Sequence, residues 1–236
     1  MGGRSVAPVT AVLYYHRIRP DERDRFACQL DHLCRWTTAV PAQMTQAPRS
    51  GVRYAAVTFD DGWASFADIA LPELEQRNIP VTLFAIPGRL GERLESLIDE
   101  PLLTGEQLTQ LSAKGVLIGS HTLTHCALTE VDEASALYEL RESRKRLSRM
   151  LNQDVTLFAF PFSRYNQRLV ELCRLAGYQR AFTGMPYLAH AGTPEFETGR
   201  IRVDPSDWMI EFHLKLVGAY RWLPAAFALK RRLMRR

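Results

Sequence analysis

Short apolar runs alternate with amphipathic segments along most of the chain. The runs are rich in β-branched and aromatic residues and nearly continuous in apolar side chains, which is typical of strands buried on both faces. Seven such runs are predicted to be strands: Val9–Tyr15, Tyr54–Phe59, Val81–Ile86, Val116–Ser120, Val155–Phe160, a weaker one at Arg180–Thr183, and Arg200–Val203.

Helical patterns lie between these runs. The spacing of apolar residues and the capping signals predict four helices. The first is marked by the spacing of Phe26, Leu30 and Leu33, and the second begins with a capping box of Thr104 and Gln107. The third begins at Thr129 with Asp132 and has apolar residues on one side: Ala134, Leu137, Leu140, Leu147 and Leu151. The fourth covers Asn166–Ala176 and is stopped by Gly177. Strand–helix alternation predicts an α/β fold in a single domain, with parallel strands and helices outside them.

Composition narrows the class of protein. The chain has 236 residues, 46% hydrophobic and 24% charged, which is enough apolar material for a sizeable core. Its formal net charge of +4 is too weak to predict nucleic-acid binding without a basic motif. The four cysteines form no CxxC pair, and the first residues lack the apolar run of a signal peptide. We therefore expect a cytoplasmic protein.

Polar side chains cluster where two predicted strands end. Asp60, Asp61 and Gly62 follow the second strand, and His121 and His125 follow the fourth. Two histidines four apart share one face if the segment is helical, and a carboxylate from another strand end would complete a metal site with open positions. Asp-Asp-Gly alone is often only a turn, and such histidines can be structural. Their joint occurrence at strand ends favours the metal site.

The same segments resemble the polysaccharide deacetylase family, carbohydrate esterase family four. TFDDG at Thr58–Gly62 is similar to its first motif, and SHTLTH at Ser120–His125 is similar to its second. The family-like strand order spans residues 9–204. The resemblance implies a distorted (β/α)7 barrel and hydrolysis of an acetamide on a sugar. It also implies one divalent ion, zinc or a similar metal. The Asp-His-His donor set itself would equally accept cobalt, nickel, manganese or iron.

The resemblance also implies roles for individual residues. Asp60 corresponds to the general base, and Asp61, His121 and His125 correspond to the metal ligands. A divalent metal lowers the pKa of bound water towards about 7, and a neighbouring carboxylate can then take its proton. The sequence thus contains the residues for metal-assisted amide hydrolysis.

The later motifs depart from the family pattern. Ala159 stands where the third motif has an arginine that normally orients the base, so the partner of the base is left open. Pro161 and Phe162 match that motif and are predicted to shape the pocket wall. Asp204-Pro205-Ser206-Asp207-Trp208 is similar to the fourth motif, although Asp204 could equally be a helix cap.

The fifth motif, which usually supplies a histidine acid, is not evident. His213 lies in a helical pattern and is interpreted as structural, whereas His16 ends the first strand and is the better substitute. A packing role for His16 is the alternative. Tyr15, beside it, and Trp208 are predicted to contact substrate. Two further histidines are interpreted as ordinary: His32 and His190.

The last residues form a separate basic segment. Residues 1–219 are assigned to the deacetylase-like domain and residues 220–236 to a tail with apolar residues and six Lys or Arg. The tail could lie on an anionic membrane surface or pack on the barrel. Without an export signal, the expected partner is an N-acetylated glycan, lipid-linked at the inner membrane face, in exopolysaccharide or surface-glycan assembly. The alternatives are an amide hydrolase of a small non-sugar substrate and a non-catalytic glycan-binding module.

Overall fold

The computed structural model describes residues 9–44, 52–94, 100–190 and 193–222. The strands are β1 Val9–Tyr15, β2 Thr38–Ala39, β3 Arg53–Phe59, β4 Val81–Ala85, β5 Leu117–Ser120, β6 Leu157–Ala159, β7 Arg180–Phe182, β8 Ala189–His190 and β9 Ile201–Arg202. The helices are α1 Arg23–Trp36, α2 Leu71–Gln76, α3 Gly105–Ala113, α4 Glu133–Leu151, α5 Gln167–Leu175 and α6 Met209–Leu216.

Within these residues the strands form one sheet in the order β7-β6-β5-β4-β3-β1-β8, with β2 paired to β3 and β9 to β1. Every pair is parallel except β1 with β8. The sheet curls into a half-barrel flanked by helices, which confirms the predicted distorted (β/α)7 barrel and its single domain. Strands β2 and β8, with two residues each, were not predicted, whereas the equally short β9 lies within the predicted run Arg200–Val203.

The predicted helices are present, with one boundary corrected. Helix α4 begins at Glu133 and is capped by Asp132, whose side chain accepts a hydrogen bond from the Ser135 amide. Thr129 lies instead in a preceding 3₁₀ turn, Leu128–Glu130. The buried face of α4 is correspondingly shifted: Ala136, Leu140, Ser143 and Leu147 are buried, whereas Ala134 is exposed.

The two faces of the central strands bury different clusters. On β1, Ala11, Leu13 and Tyr15 join the large core beneath the helices. Val12, between them, joins a smaller cluster inside the half-barrel, with Phe84 among its members. Because side chains alternate along a strand, Tyr14 points to the inside of the half-barrel and Tyr15 to the helices. This alternation decides which tyrosine reaches the open end of the sheet.

Part of the predicted tail is outside the described residues. Residues 219–222 form a 3₁₀ turn, and residues 223–236 are not described, so the predicted membrane contact stays a prediction. Among the described residues, none of the helices combines the length and the apolar character needed to cross a bilayer.

Candidate metal and catalytic site

The two aspartates after β3 point in different directions. The Asp60 amide donates to the carbonyl of Tyr15 on β1, which continues the parallel pairing by one residue. The chain then turns through the left-handed region, with φ of 70° at Asp61 and 86° at Gly62. This turn sends the Asp60 carboxylate towards Arg200 and the Asp61 carboxylate towards the two histidines.

Among the described residues, only one group of three or more His, Cys, Asp or Glu side chains could hold a metal ion. It consists of Asp61, His121 and His125. One ligand atom of each lies within 4.8 Å of the others. Asp61 Oδ1 lies 3.4 Å from His125 Nε2 and 3.6 Å from His121 Nε2. Donors about 2.0–2.2 Å from a tetrahedral ion stand roughly 3.3–3.6 Å apart, so this spacing fits one divalent metal.

Hydrogen bonds orient two of these ligands. Trp63 Nε1 donates to Asp61 Oδ2 at 3.0 Å, which turns Oδ1 towards the imidazoles. His121 Nδ1 lies 2.8 Å from the carbonyl oxygen of Ala159, an atom that can only accept, so Nδ1 carries the proton and Nε2 presents its lone pair. Burial lowers the pKa of His121 to about 3, so the ring is neutral, as a metal ligand must be.

The histidine segment is a loop, and the helical spacing considered for it is wrong. Thr122 and His125 both have φ of 67°, and this tight path brings the two rings to 5.2 Å between centroids. Glu139 on α4 supports the loop by accepting from the amides of Leu123 and Thr124, at 2.8 and 3.0 Å. On the other side, the Gly88 amide donates to the Leu123 carbonyl. A Cβ at residue 88 would lie 2.3 Å from that oxygen, so the contact requires glycine.

Arg200 is a residue of the candidate site that the sequence did not reveal. It precedes β9, is 1% exposed, and binds Asp60 through two bonds, Nη1 to Oδ1 at 2.6 Å and Nη2 to Oδ2 at 2.8 Å. Its guanidinium also lies 4.5 Å from the ring centroid of Tyr14. An arginine inside a predicted apolar strand was the available signal, since a buried arginine requires a charge partner.

The ion pair answers the question raised by Ala159. In place of an arginine in the third motif after β6, Asp60 pairs with Arg200, which precedes β9 on the opposite side of β3 in the sheet. Burial by itself would raise the pKa of Asp60, but Arg200 and, more weakly, His121 hold it below its usual value. Asp60 is therefore ionised and able to accept a proton at neutral pH.

His16 lines the same cavity as Asp60 and Asp61. Its ring makes an edge contact with Tyr14, with centroids 5.6 Å apart. Tyr15, predicted to contact substrate, instead points into the core, where its hydroxyl donates to Gln29 Oε1 at 2.8 Å. Tyr14 takes its place in the cavity wall, for the reason of strand alternation given above.

The other predicted contacts are divided between the cavity and its surroundings. Phe162, with φ of 56°, stands 58% exposed at the mouth, its ring centroid 4.7 Å from that of His125. Pro161 is buried and begins the turn that presents Phe162. Asp204 lines the cavity, while its Oδ1 accepts from the amide and hydroxyl of Ser206. Trp208 lies in a neighbouring depression and caps α6 with its backbone.

His32 and His213 lie away from this site. His32, interpreted as an ordinary histidine, has its Nε2 2.9 Å from His213 Nδ1, a contact that joins α1 to α6. The structural role predicted for His213 stays a prediction. The side chain of His190, at the end of β8, is not described.

Both aspartates, both candidate ligand histidines and His16 line one open cavity of about 530 Å³ at the carboxyl ends of the strands. Residues 47–181, more than half of the chain, match the sequence model of the family described as polysaccharide deacetylase. The chain belongs to the polysaccharide deacetylase family. The matched segment contains the aspartate pair and both histidines, whereas His16 and Arg200 lie outside it.

Individual polysaccharide deacetylases agree with this assignment. The chain is 28% identical over 162 residues to YxkH of Bacillus subtilis (strain 168), whose name places it among the polysaccharide deacetylases. That match covers 69% of this chain but only 56% of the relative.

Two solved structures are among those that share the fold. The Streptococcus pyogenes deacetylase PplD, in complex with acetate, has 22% identity and a TM-score of 0.75, over 89% of this chain and 99% of that one. IcaB from Ammonifex degensii has 24% identity and a TM-score of 0.73, over 89% and 100%.

Proposed function

We propose that this protein is a metal-dependent hydrolase that removes N-acetyl groups from a sugar or a polysaccharide precursor. The observation that carries the proposal is the pairing of two differently held aspartates in one cavity. Asp61 faces two imidazole nitrogens at ligand spacing, and Asp60 is held by Arg200. Membership of the polysaccharide deacetylase family supplies the class of substrate.

Asp61, His121 and His125 would hold the ion, zinc foremost, on three sides and leave the cavity side open. Such an ion, when bound, polarises a carbonyl oxygen and lowers the pKa of water near it. Asp60, ionised and fixed by Arg200, accepts the proton of the attacking water. His16 stands in the cavity to donate a proton to the leaving nitrogen. The C–N bond breaks, a C–O bond forms, and acetate and a free amine leave.

The proposed partner is an N-acetylated glycan in exopolysaccharide or surface-glycan assembly. Phe162 offers an exposed aromatic face beside the histidines, a surface on which a sugar ring can stack. Attachment of the glycan to a lipid at the cytoplasmic face of the membrane belongs to the same proposal and rests on the basic tail of the sequence.

Replacement of the base separates catalysis from metal binding. Asp60→Asn keeps the three ligands, so we expect bound metal in wild-type amount and acetate release lowered by about 10²–10⁴-fold. Asp61→Ala, His121→Ala and His125→Ala should each lose the metal and the activity together. The measurements are metal content by elemental analysis and acetate release from N-acetylglucosamine oligomers.

Asp68→Asn is the matched control, since Asp68 is an exposed carboxylate a few residues away. It should keep both metal and activity. Equal, slow acetate release by the wild type and by Asp60→Asn would favour the non-catalytic glycan-binding module. Full metal content in a His121→Ala/His125→Ala double variant would refute the ligand assignment.

A further inference from the structure

One wall of the cavity is basic. Arg17 and Arg19 follow β1, and Arg202 ends β9, which pairs with β1 beside Tyr14. All three arginines therefore come from neighbouring segments on one side of the opening. Phe160 lines the cavity after β6, a strand separated from β1 by β5, β4 and β3 in the sheet.

Three carboxylates line the cavity together with this wall. Asp60 is already held by Arg200, Asp61 faces the histidines, and Asp204 accepts from Ser206. Asp204 also attracts Arg202 and Arg19 electrostatically, so it offsets part of the positive charge of the wall.

The three arginines differ in their own partners. Arg19 pairs with Glu22 at 2.6 Å, and Arg17 stands 3.9 Å from Glu100, at the outer limit of an ion pair. The side chain of Arg202 is exposed, and its charge is attracted by Asp204, although no side-chain hydrogen bond or close ion pair holds its guanidinium within the described part of the chain. Its planar fork of donors matches a carboxylate or a phosphate, both of which it can bind through two bonds.

We propose that the substrate is an anionic glycan, whose carboxylate or phosphate binds Arg202, with Arg17 beside it, while the acetamide lies at the histidines. This inference rests on the proposed deacetylase function and specifies its substrate class. A uronate and a sugar phosphate share the chemistry that the arginine fork recognises. The basic wall thus selects for a negative charge in one of two places. The charge is either a carboxylate on the sugar next to the acetylated one or a phosphate on the acetylated sugar itself.

The test compares matched neutral and anionic substrates with the metal-loaded, full-length protein. The neutral pair is N-acetylglucosamine and its disaccharide. The anionic pair is N-acetylglucosamine 1-phosphate and a disaccharide of N-acetylglucosamine with glucuronate, which separates phosphate from carboxylate. We expect kcat/KM for acetate release to be at least about tenfold higher on one anionic member than on its neutral match, and the difference to shrink as salt screens the charges.

Variants of Arg202 locate the preference. Arg202→Ala should reduce the anionic-to-neutral ratio of kcat/KM about tenfold, and Arg202→Lys should reduce it less, since lysine keeps the charge and loses the fork. Arg141→Ala, which removes an exposed arginine on α4, should leave the ratio unchanged. Thermal unfolding of each variant verifies that it folds.

The outcomes distinguish this inference from the proposed function. Equal kcat/KM on neutral and anionic substrates, or a preference that survives Arg202→Ala, would overturn the anionic-substrate inference and leave the deacetylase intact. Absence of acetate release from every substrate, with zinc and the other divalent ions supplied, would overturn the deacetylase itself.

Discussion

The backbone at the candidate site occupies a region that side-chain-bearing residues rarely adopt. Asp61, Thr122, His125 and Phe162 all have φ between 56° and 70°. Such conformations cost of order 1–3 kcal/mol each and persist only where the surrounding structure imposes them. Two of the four are proposed metal ligands, so the energy of folding is used here to bring ligand atoms together.

Arg200 allows a prediction about the base. Arg200→Ala leaves the buried Asp60 carboxylate without its main partner, so we expect the free energy of unfolding to fall by about 3–5 kcal/mol. Acetate release should fall with it, because Asp60 is no longer held in one orientation and its pKa rises. Urea unfolding and kcat measure the two effects.

A double variant separates orientation from stability. Asp60→Asn/Arg200→Gln removes both charges and keeps hydrogen-bonding groups, so it should recover much of the lost stability and none of the activity. A double variant with restored turnover would show that Asp60 is not the base. Unchanged stability in Arg200→Ala would contradict the account of the ion pair.

At the scale of elements, α4 supports the loop of the candidate metal site through Glu139. We expect Glu139→Ala to weaken metal affinity about 10–100-fold, as is typical when an outer-shell support of a metal ligand is lost. Isothermal titration with zinc measures the affinity. Glu142→Ala is the control, since Glu142 lies on the same helix and pairs with Arg146 at the surface. Equal affinities in the two variants would mean that the loop holds its shape without α4.

A second element-scale prediction concerns the contact between α1 and α2. Glu73 is 6% exposed and forms ion pairs with Arg23 at 2.7 Å and with Arg77 at 2.8 Å. The pKa of Glu73 lies below its ordinary value of 4.5, and the hydrogen bond from Arg23 is the largest cause. A lowered folded pKa stabilises the protein above about pH 4.5, and this stabilisation is lost as pH falls through the folded pKa. Glu73→Gln should therefore be less stable at pH 7, by about 1–2 kcal/mol.

The pH dependence provides the control for that variant. The difference between wild type and Glu73→Gln should narrow as the pH falls below 4.5, which urea unfolding at a series of pH values measures. A difference that stays constant over this range would show that packing, and not charge, makes the glutamate necessary.

At the scale of the whole molecule, membrane contact is one of the two interpretations of the basic tail, the other being packing on the barrel. Residues 223–236 contain five Lys or Arg, each worth about 1 kcal/mol near an anionic surface. We expect the full chain to sediment with vesicles containing phosphatidylserine and the chain truncated after residue 222 to remain in the supernatant. Neutral phosphatidylcholine vesicles are the control. Equal sedimentation of the two chains would refute the role of the tail.

Much of the fold follows from local sequence. Nearly continuous apolar runs predict β1, β3 and β4, because strands buried on both faces carry apolar side chains at most positions, and helical spacing predicts the centres of α1, α3, α4 and α5. The two-residue strands β2 and β8 lie in no such run and are defined only by the strands they pair with. The cap of α4 was misplaced by three residues because two polar residues offered the same local signal.

By itself, the sequence determined the fold class and the family, since these depend on periodicity and on short motifs. Only the tertiary structure showed that Arg200 holds Asp60, that Tyr14 and not Tyr15 lines the cavity, and that His32 contacts His213. These are contacts between residues far apart in the chain or on opposite faces of one strand. Curling of the sheet brings such residues together, and no local pattern records which of them will meet.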